Sequence, residues 1–214
     1  DQSVDAAMQD LQQAIAFAPE HLSWYQLTIE QNTEFYAKPP TLPVEDVLCD
    51  IQDEGQALLA DAAFQHYEVS AFAQPGRASR HNQNYWTFGD YIGIGAGAHG
   101  KLTSVSDNTI IRRHKTRQPK HYLDSLNSPL GFKGHPDPID VDKRKLEFLM
   151  NALRLNQGVD ISLYEAYTGL SRDSLQPQWQ KLQNQGLLVV GESRLQPTQL
   201  GLRFLNSLLE GFLD

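Results

Sequence analysis

Apolar side chains at Val4, Ala7, Met8, Leu11, Ala14, Ile15 and Ala18 recur with the period of a one-faced helix, and Pro19 ends the run. The pattern predicts a helix over residues 4–18. Residues His21–Ile29, rich in Trp, Tyr, Leu, Thr and Ile, then read as a strand. Pro39, Pro40 and Pro43 mark a loop, and Pro43 suits the first turn of a helix reaching about Ala62. Val44, Val47, Leu48, Ile51, Leu58 and Leu59 would face inward from it. His66–Ser70 reads as the next strand. This α-β-α-β alternation predicts parallel strands covered by helices. Two such strands do not make a stable sheet alone. The rest of the sheet is therefore expected later in the chain or outside it, with an open parallel edge over residues 1–115.

The pattern changes after Gln74-Pro75-Gly76-Arg77, a loop. Asp90–Ala98 reads as a glycine-rich strand, Lys101–Asp107 as polar turn and Thr109–Lys115 as a basic strand. A helix is expected near Pro119–Leu126. The following loop, with Pro129, Gly131, Gly134, Pro136 and Pro138, is the expected domain boundary. From Ile139 the chain reads helical. Leu146, Leu149, Met150, Leu153 and Leu155 shape one amphipathic helix, and Ser162–Tyr167 and Ser171–Gln185 two more. Leu187–Val190 and Arg194–Gln196 flank a turn at Gly191 and read as a short hairpin. Thr198–Phe212 is the last helix. Leu146, Leu149, Leu153, Trp179, Leu182 and Phe204 are the expected core of this tail, whose order resembles a winged-helix module.

Composition narrows the class. With 214 residues, 40% of them hydrophobic, the chain can bury a core. It shows neither an apolar run of membrane-spanning length nor a signal-peptide pattern, so a cytoplasmic protein is expected. Its one cysteine, Cys49, excludes internal disulfides and any site built from several thiolates of this chain. The net charge of −8 is unevenly spread. Residues 1–70 carry 13 acidic side chains and one basic one, whereas residues 71–150 carry 12 basic and 7 acidic ones. The basic middle is an anion-facing surface or simply a solvated face.

Three stretches carry candidate chemistry. Gly95, Gly97 and Gly100 match G-x-G-x-x-G, but no helix is expected after them, so the dinucleotide context is missing. Bare Cα atoms there instead let a flat ligand or another backbone approach. His81-Asn82-Gln83-Asn84-Tyr85-Trp86 offers a metal ligand and stacking surfaces, or an ordinary hydrogen-bonded histidine among aromatics. Arg112-Arg113-His114-Lys115-Thr116-Arg117 can meet nucleic-acid phosphates or the carboxylates of a small molecule, or merely protect an edge strand. The helices expected over 162–185 carry only Arg172 and Lys181 as cations, too few for a DNA recognition helix, so no nucleic-acid partner is expected.

The stretch His81-Asn82-x-x-Tyr85-Trp86, followed by Phe88-Gly89-Asp90-Tyr91-Ile92-Gly93-Ile94-Gly95-Ala96-Gly97-Ala98-His99-Gly100, resembles the HemW branch of the oxygen-independent coproporphyrinogen III oxidase family. So do the segment from His21 to Glu30 and Tyr67-Glu68-Val69-Ser70-Ala71-Phe72. The resemblance implies an α/β fold. Residues 1–128 would form part of an incomplete (β/α) barrel of radical S-adenosylmethionine (SAM) type, and residues 139–214 a small helical, winged-helix-like C-terminal domain. A CxxxCxxC segment binds a [4Fe–4S] cluster and SAM in that family, and no such segment is present here. Strands around Thr28, Glu68, Gly93, Gly95, Gly97 and His99 would line the face toward SAM.

The resemblance further implies a haem-binding chaperone that passes haem to acceptor proteins, membrane-associated ones among them. His81 would be the haem-iron ligand, with Asn82, Tyr85 and Trp86 beside the macrocycle and Arg112 and Arg113 meeting the propionates. The alternative within the family is an oxidase that decarboxylates coproporphyrinogen III. An open strand edge would also permit a homodimer.

Overall fold

The structure is a computed structural model that describes residues 2–213. Its contacts divide the chain into two compact units that meet between Ser79 and Arg80, not at the proline- and glycine-rich loop before Ile139.

In the first unit, α1 (Val4–Ala16) begins where the Ser3 hydroxyl accepts the Ala6 N–H, and it buries Ala7 and Leu11 one turn apart. The chain continues through β1 (His21–Ser23), the single turn α2 (Glu34–Ala37), α3 (Glu45–Asp61), β2 (Gln65–Glu68) and β3 (Ala71–Ala73). Ile51 and Leu59 lie on the buried face of α3, as their spacing predicts. Leu11, Leu59, Phe64 and Phe72 form the core, with Met8, Ile15, Leu22 and Trp24 against it.

The sheet corrects the expected parallel pairing. Its order is β1-β3-β2 with both pairings antiparallel. A two-residue turn at Val69 and Ser70 joins β2 to β3, and so short a connection can only reverse the chain. β3 thereby sits between β1 and β2, which run in the same direction without touching as a ladder. The strand expected over His21–Ile29 stops at Ser23, and Thr28 lies beyond it, exposed and outside any strand.

The second unit opens with α4 (Arg80–Trp86), followed by β4 (His99–Ser104), β5 (Thr109–His114), α5 (Pro119–Asp124) and β6 (His135–Pro138). β4, β5 and β6 form an antiparallel sheet in that order. Then come α6 (Val141–Ala152), β7 (Val159–Asp160), α7 (Ile161–Thr168), α8 (Gln178–Asn184), β8 (Arg194–Leu195), α9 (Gln199–Arg203) and α10 (Leu205–Glu210). One core runs through this unit. Phe88 and Ile110, beside and on the sheet, pack with Phe148, Leu149, Leu153, Tyr164, Trp179, Leu182 and Phe212 from the helical segment. The buried Arg144 guanidinium fastens the two parts. It donates to the Asn108 side chain and carbonyl, at 2.9 and 2.7 Å, and to the Thr168 carbonyl at 2.9 Å. The helical tail is therefore not separately packed.

Several local expectations change. The glycine-rich stretch Asp90–Ala98 is irregular except for a bridge from Tyr91 to Lys101, and the strand lies one segment later, over the residues expected to be turn. The helix expected over Ser171–Gln185 is a 3-10 turn at Arg172–Leu175 and then α8, divided at Pro177, whose ring removes a backbone donor. The last helix breaks at Phe204, which is 52% exposed rather than in the core. Trp179 is 3% exposed, as expected of a core residue. The expected hairpin survives as a bridge from Leu188 to Pro197, but β8 pairs with β7.

Candidate functional site

The histidine-aromatic stretch forms α4, a helix without a regular apolar period. Its C-terminal end is fixed by local bonds. Gly89 N–H donates to the Asn84 carbonyl at 2.7 Å, and the Asn84 amide donates to the Asp90 carbonyl at 3.0 Å. Phe88 reverses the chain in the left-handed region at φ 63°, a conformation that costs a non-glycine residue about 1 kcal/mol or more. Complete burial of its ring, edge-on to Phe148 at 5.7 Å, offsets that strain.

Helical spacing places His81 and Tyr85 on one side of α4, with ring centroids 4.9 Å apart. Tyr85 in turn stacks on Tyr91 at 4.2 Å. His81 is exposed and Tyr85 half-buried, so the three rings form a surface with an imidazole at its outer end. Burial pushes the Tyr85 phenol up, the neighbouring Tyr91 adds to the shift, and Arg112 opposes it. Trp86 behaves differently from the expected macrocycle contact. It packs against the core of the unit, and the Arg154 guanidinium lies 5.2 Å from its ring. Asn82 is half-buried on the same helix.

Lys101, bridged through its backbone to Tyr91, has its Nζ buried against Asp90 Oδ1 at 2.8 Å and 4.2 Å from the centroid of the Phe88 ring. Burial pushes Lys101 down, and Asp90 offsets part of that cost. Burial also opposes ionisation of Asp90. The hydrogen bond from Lys101, the backbone and hydroxyl donors of Thr103 and the Lys101 charge outweigh it and hold the carboxyl below its usual range. Arg112 is half-buried and paired with Glu147, on the same sheet face as its cross-strand partner Lys101. Arg113 points to the other face, 3.5 Å from the Gly134 carbonyl. The structure thus sets the two arginines on opposite faces of β5 and leaves only Arg112 near Tyr85.

The remaining sequence-predicted residues are dispersed. Glu68 is buried in β2 and accepts the Ser70 N–H at 3.2 Å. Gly93 has no room for a side chain, because a Cβ there would overlap the carbonyl of His99. The close approach that its bare Cα permits is by the chain's own backbone. Gly95 and Gly97 have positive φ values, and His99 is exposed at the start of β4. β4, not a helix, follows the glycines, so no helix N-terminus is offered to a pyrophosphate. The chain's one cysteine, Cys49, is exposed on α3 and cannot supply the several thiolates of an iron–sulfur cluster.

Sequence reasoning missed a second cluster. Strand register aligns His99 with His114 and His114 with His135, giving a row of imidazoles across β4, β5 and β6. Their centroids are 6.3 and 5.4 Å apart. His135 also borders a cavity of about 560 Å³, lined by Lys115, His121, Tyr122, Leu130 and Phe132 among others. Nothing in the linear spacing of these histidines announces this, because it depends on the pairing of three strands.

Comparison with known proteins places the chain. Residues 139–204 match the HemN C-terminal domain. The whole chain is 46% identical over 213 residues to the "Heme chaperone HemW" of Escherichia coli strain K12, covering 55% of that protein. It is 45% identical over 212 residues to the "Heme chaperone HemW" of Haemophilus influenzae, with 99% of this chain and 54% of the relative covered. Identity is 33% over 226 residues to the mouse mitochondrial "Radical S-adenosyl methionine domain-containing protein 1", covering 97% of this chain and 49% of the relative. The chain therefore spans about half the length of these relatives. In fold it resembles the solved coproporphyrinogen III oxidase HemN of Escherichia coli, a radical SAM enzyme. The TM-score is 0.72 at 17% identity, over 99% of this chain and 52% of that one.

Proposed function

Because this chain belongs to the HemN-like family, and matches the heme chaperones HemW along its whole length, we propose that it is part of a haem-binding protein that delivers haem to acceptors. The observation that carries this reading is the surface formed by His81, Tyr85 and Tyr91. A neutral imidazole is a common axial ligand of haem iron, and aromatic rings bury porphyrin area. His81 is exposed, so haem held there stays accessible to an acceptor. In this reading Tyr85 flanks the macrocycle, Asn82 and Trp86 fix the helix that carries His81, and Arg112 meets a propionate with guanidinium donors not used by Glu147. Arg113 would take a propionate only from the opposite sheet face.

The finer parts of the reading extend the family resemblance. Residues 1–128 would contribute to a partial (β/α) barrel and residues 139–214 to a winged-helix-like domain. Thr28, Glu68, Gly93, Gly95, Gly97 and His99 would face SAM in the intact protein. The residues of this chain, with the single thiol of Cys49, do not fit a [4Fe–4S] cluster. Haem-accepting proteins, membrane-associated ones included, are the proposed partners, and a homodimer is the proposed assembly. The proposed place of action is the cytoplasm, whose reducing conditions suit a single exposed thiol. Among the described residues no helix is long and apolar enough to cross a membrane.

The fold likeness to HemN favours one other reading, oxidative decarboxylation of coproporphyrinogen III. Haemin titration of the intact protein tests the first reading. His81→Ala is expected to weaken binding at least tenfold and to move the Soret band, with the fold unchanged. Unchanged affinity and spectrum in folded His81→Ala protein would remove the ligand role. Turnover of coproporphyrinogen III by the cluster-loaded protein would favour the oxidase instead.

A further inference from the structure

The row of histidines ends at a cavity that the His81 surface does not share. His135 belongs to both the row and the cavity wall, and His121, on α5, lines the same space. The space is about 560 Å³, within the usual range for small-molecule sites. Tyr122 and Phe132, 4.9 Å apart, form an aromatic wall. Leu130 and Phe132 are each 37% exposed, so this apolar surface lacks a covering element among the described residues. Lys115 supplies a cation at the edge. It is 5.9 Å from the Tyr122 ring and donates to the Gly93 carbonyl, which leaves ammonium donors free for a carboxylate.

The donor set decides the ligand class. Among the described residues no three His, Cys, Asp or Glu side chains converge as a bare metal ion requires. His99, His114 and His135 instead stand side by side on one sheet face, which follows from antiparallel register. A flat metal complex needs only one or two nitrogen donors and otherwise asks for apolar walls and a cation for its carboxylates. We propose that this cavity is a second iron-porphyrin site, with His121 and His135 as the imidazole donors, Tyr122 and Phe132 against the ring and Lys115 toward a propionate. The inference rests on the haem-carrying reading above and adds a site with different residues. The side-by-side imidazoles of His114 and His99 would then offer further donors along which iron ligation can exchange.

The test is a titration of the intact protein with haemin and, in parallel, with metal-free protoporphyrin IX. Wild-type protein is expected to bind two haemins. His81→Ala and the double variant His121→Ala/His135→Ala should each bind one, with different Soret maxima, and the triple variant should lose both at least tenfold in affinity. Both cavity histidines are exposed, so the double variant should fold. Leu130→Asp puts a charge on the apolar wall. It should weaken haemin binding in the His81→Ala background, where this cavity is the remaining iron-ligating site, and metal-free protoporphyrin binding in the Tyr85→Ala background, where the other surface has lost its stacking ring. A wild-type protein that binds one haemin, lost entirely in His81→Ala, would overturn the cavity proposal and leave the chaperone reading intact. Failure of wild-type protein to bind haemin at all would overturn the chaperone reading itself. Double-variant titrations identical to wild type would remove His121 and His135 as ligands.

Discussion

Lys101 is 2% exposed, and its ammonium is held by the carboxylate of Asp90 at 2.8 Å, whereas Asp90 keeps 36% of its side-chain surface in water. The pair joins the start of the glycine-rich segment to β4 and so sets Tyr91 in place to stack on Tyr85. The unequal burial predicts unequal costs. Asp90→Asn leaves a buried cation without its counter-charge, which should destabilise the protein by about 2–3 kcal/mol. Lys101→Met removes the buried charge, and Asp90 can still accept the Thr103 N–H and hydroxyl bonds while facing water. Its cost should stay below about 1 kcal/mol. Denaturant unfolding of the two variants checks the order, and equal losses would show that the pair does not act through desolvation.

Tyr85 separates aromatic stacking from its hydroxyl. Tyr85→Phe keeps a ring against Tyr91 and His81, so haemin affinity should change by less than about threefold. Tyr85→Ala removes the ring and about 1 kcal/mol or more of stacking, so affinity should fall about tenfold. Spectrophotometric titration measures both. A larger loss in Tyr85→Phe than in Tyr85→Ala would point to the hydroxyl instead.

In the first unit the His66 ring lies flat on Phe72, with centroids 4.3 Å apart and planes 13° from parallel. Burial pushes its pKa below the usual 6.5, although the Val69 carbonyl and Glu68 favour the charged form. The folded state then binds fewer protons than the unfolded state near and below that value. The stability from neutral His66 is present above about pH 6.5 and is lost as pH falls through it. Thermal unfolding between pH 7.5 and 5 should show a steeper decline for wild type than for His66→Phe, which keeps the stacked ring without a titrating group. Parallel declines would place the pH dependence elsewhere.

The sequence makes the periodic elements legible and hides those set by pairing. α1, α3 and α6 follow from apolar residues one turn apart. α4 does not, because Arg80-His81-Asn82-Gln83-Asn84 carries no apolar stripe, and its helix is held by terminal bonds such as Asn84 to Asp90. Composition identifies β-prone segments near His21 and His66 but not β3, which lies between them, pairs antiparallel with both and is turned back beside β2 by a two-residue connection. The chemistry of His81 and Tyr85 is visible as a local motif. The meeting of His99, His114 and His135, up to 36 positions apart, is visible only once the register of β4, β5 and β6 is known.

The glycine-rich segment supplies a last test of what its bare positions do. At Gly93 an added Cβ would strike the His99 carbonyl, a backbone atom that cannot rotate away. Gly93→Ala must therefore push the segment off β4, which strains the Tyr91–Lys101 bridge and the Lys115 bond to the Gly93 carbonyl. Gly95 differs, because an added Cβ meets nothing within 4 Å, although its φ of 107° disfavours any side chain. Gly95→Ala should cost only the conformational strain, about 1–2 kcal/mol. Gly93→Ala should cost more, about 3 kcal/mol, and should also lower haemin affinity by displacing Tyr91 from Tyr85. Unfolding and haemin titration of both variants measure the difference. If Gly95→Ala proves the more damaging to haemin binding, the open side of the glycine segment is itself a ligand surface, and the role of Gly93 is confined to holding the chain against its own strand.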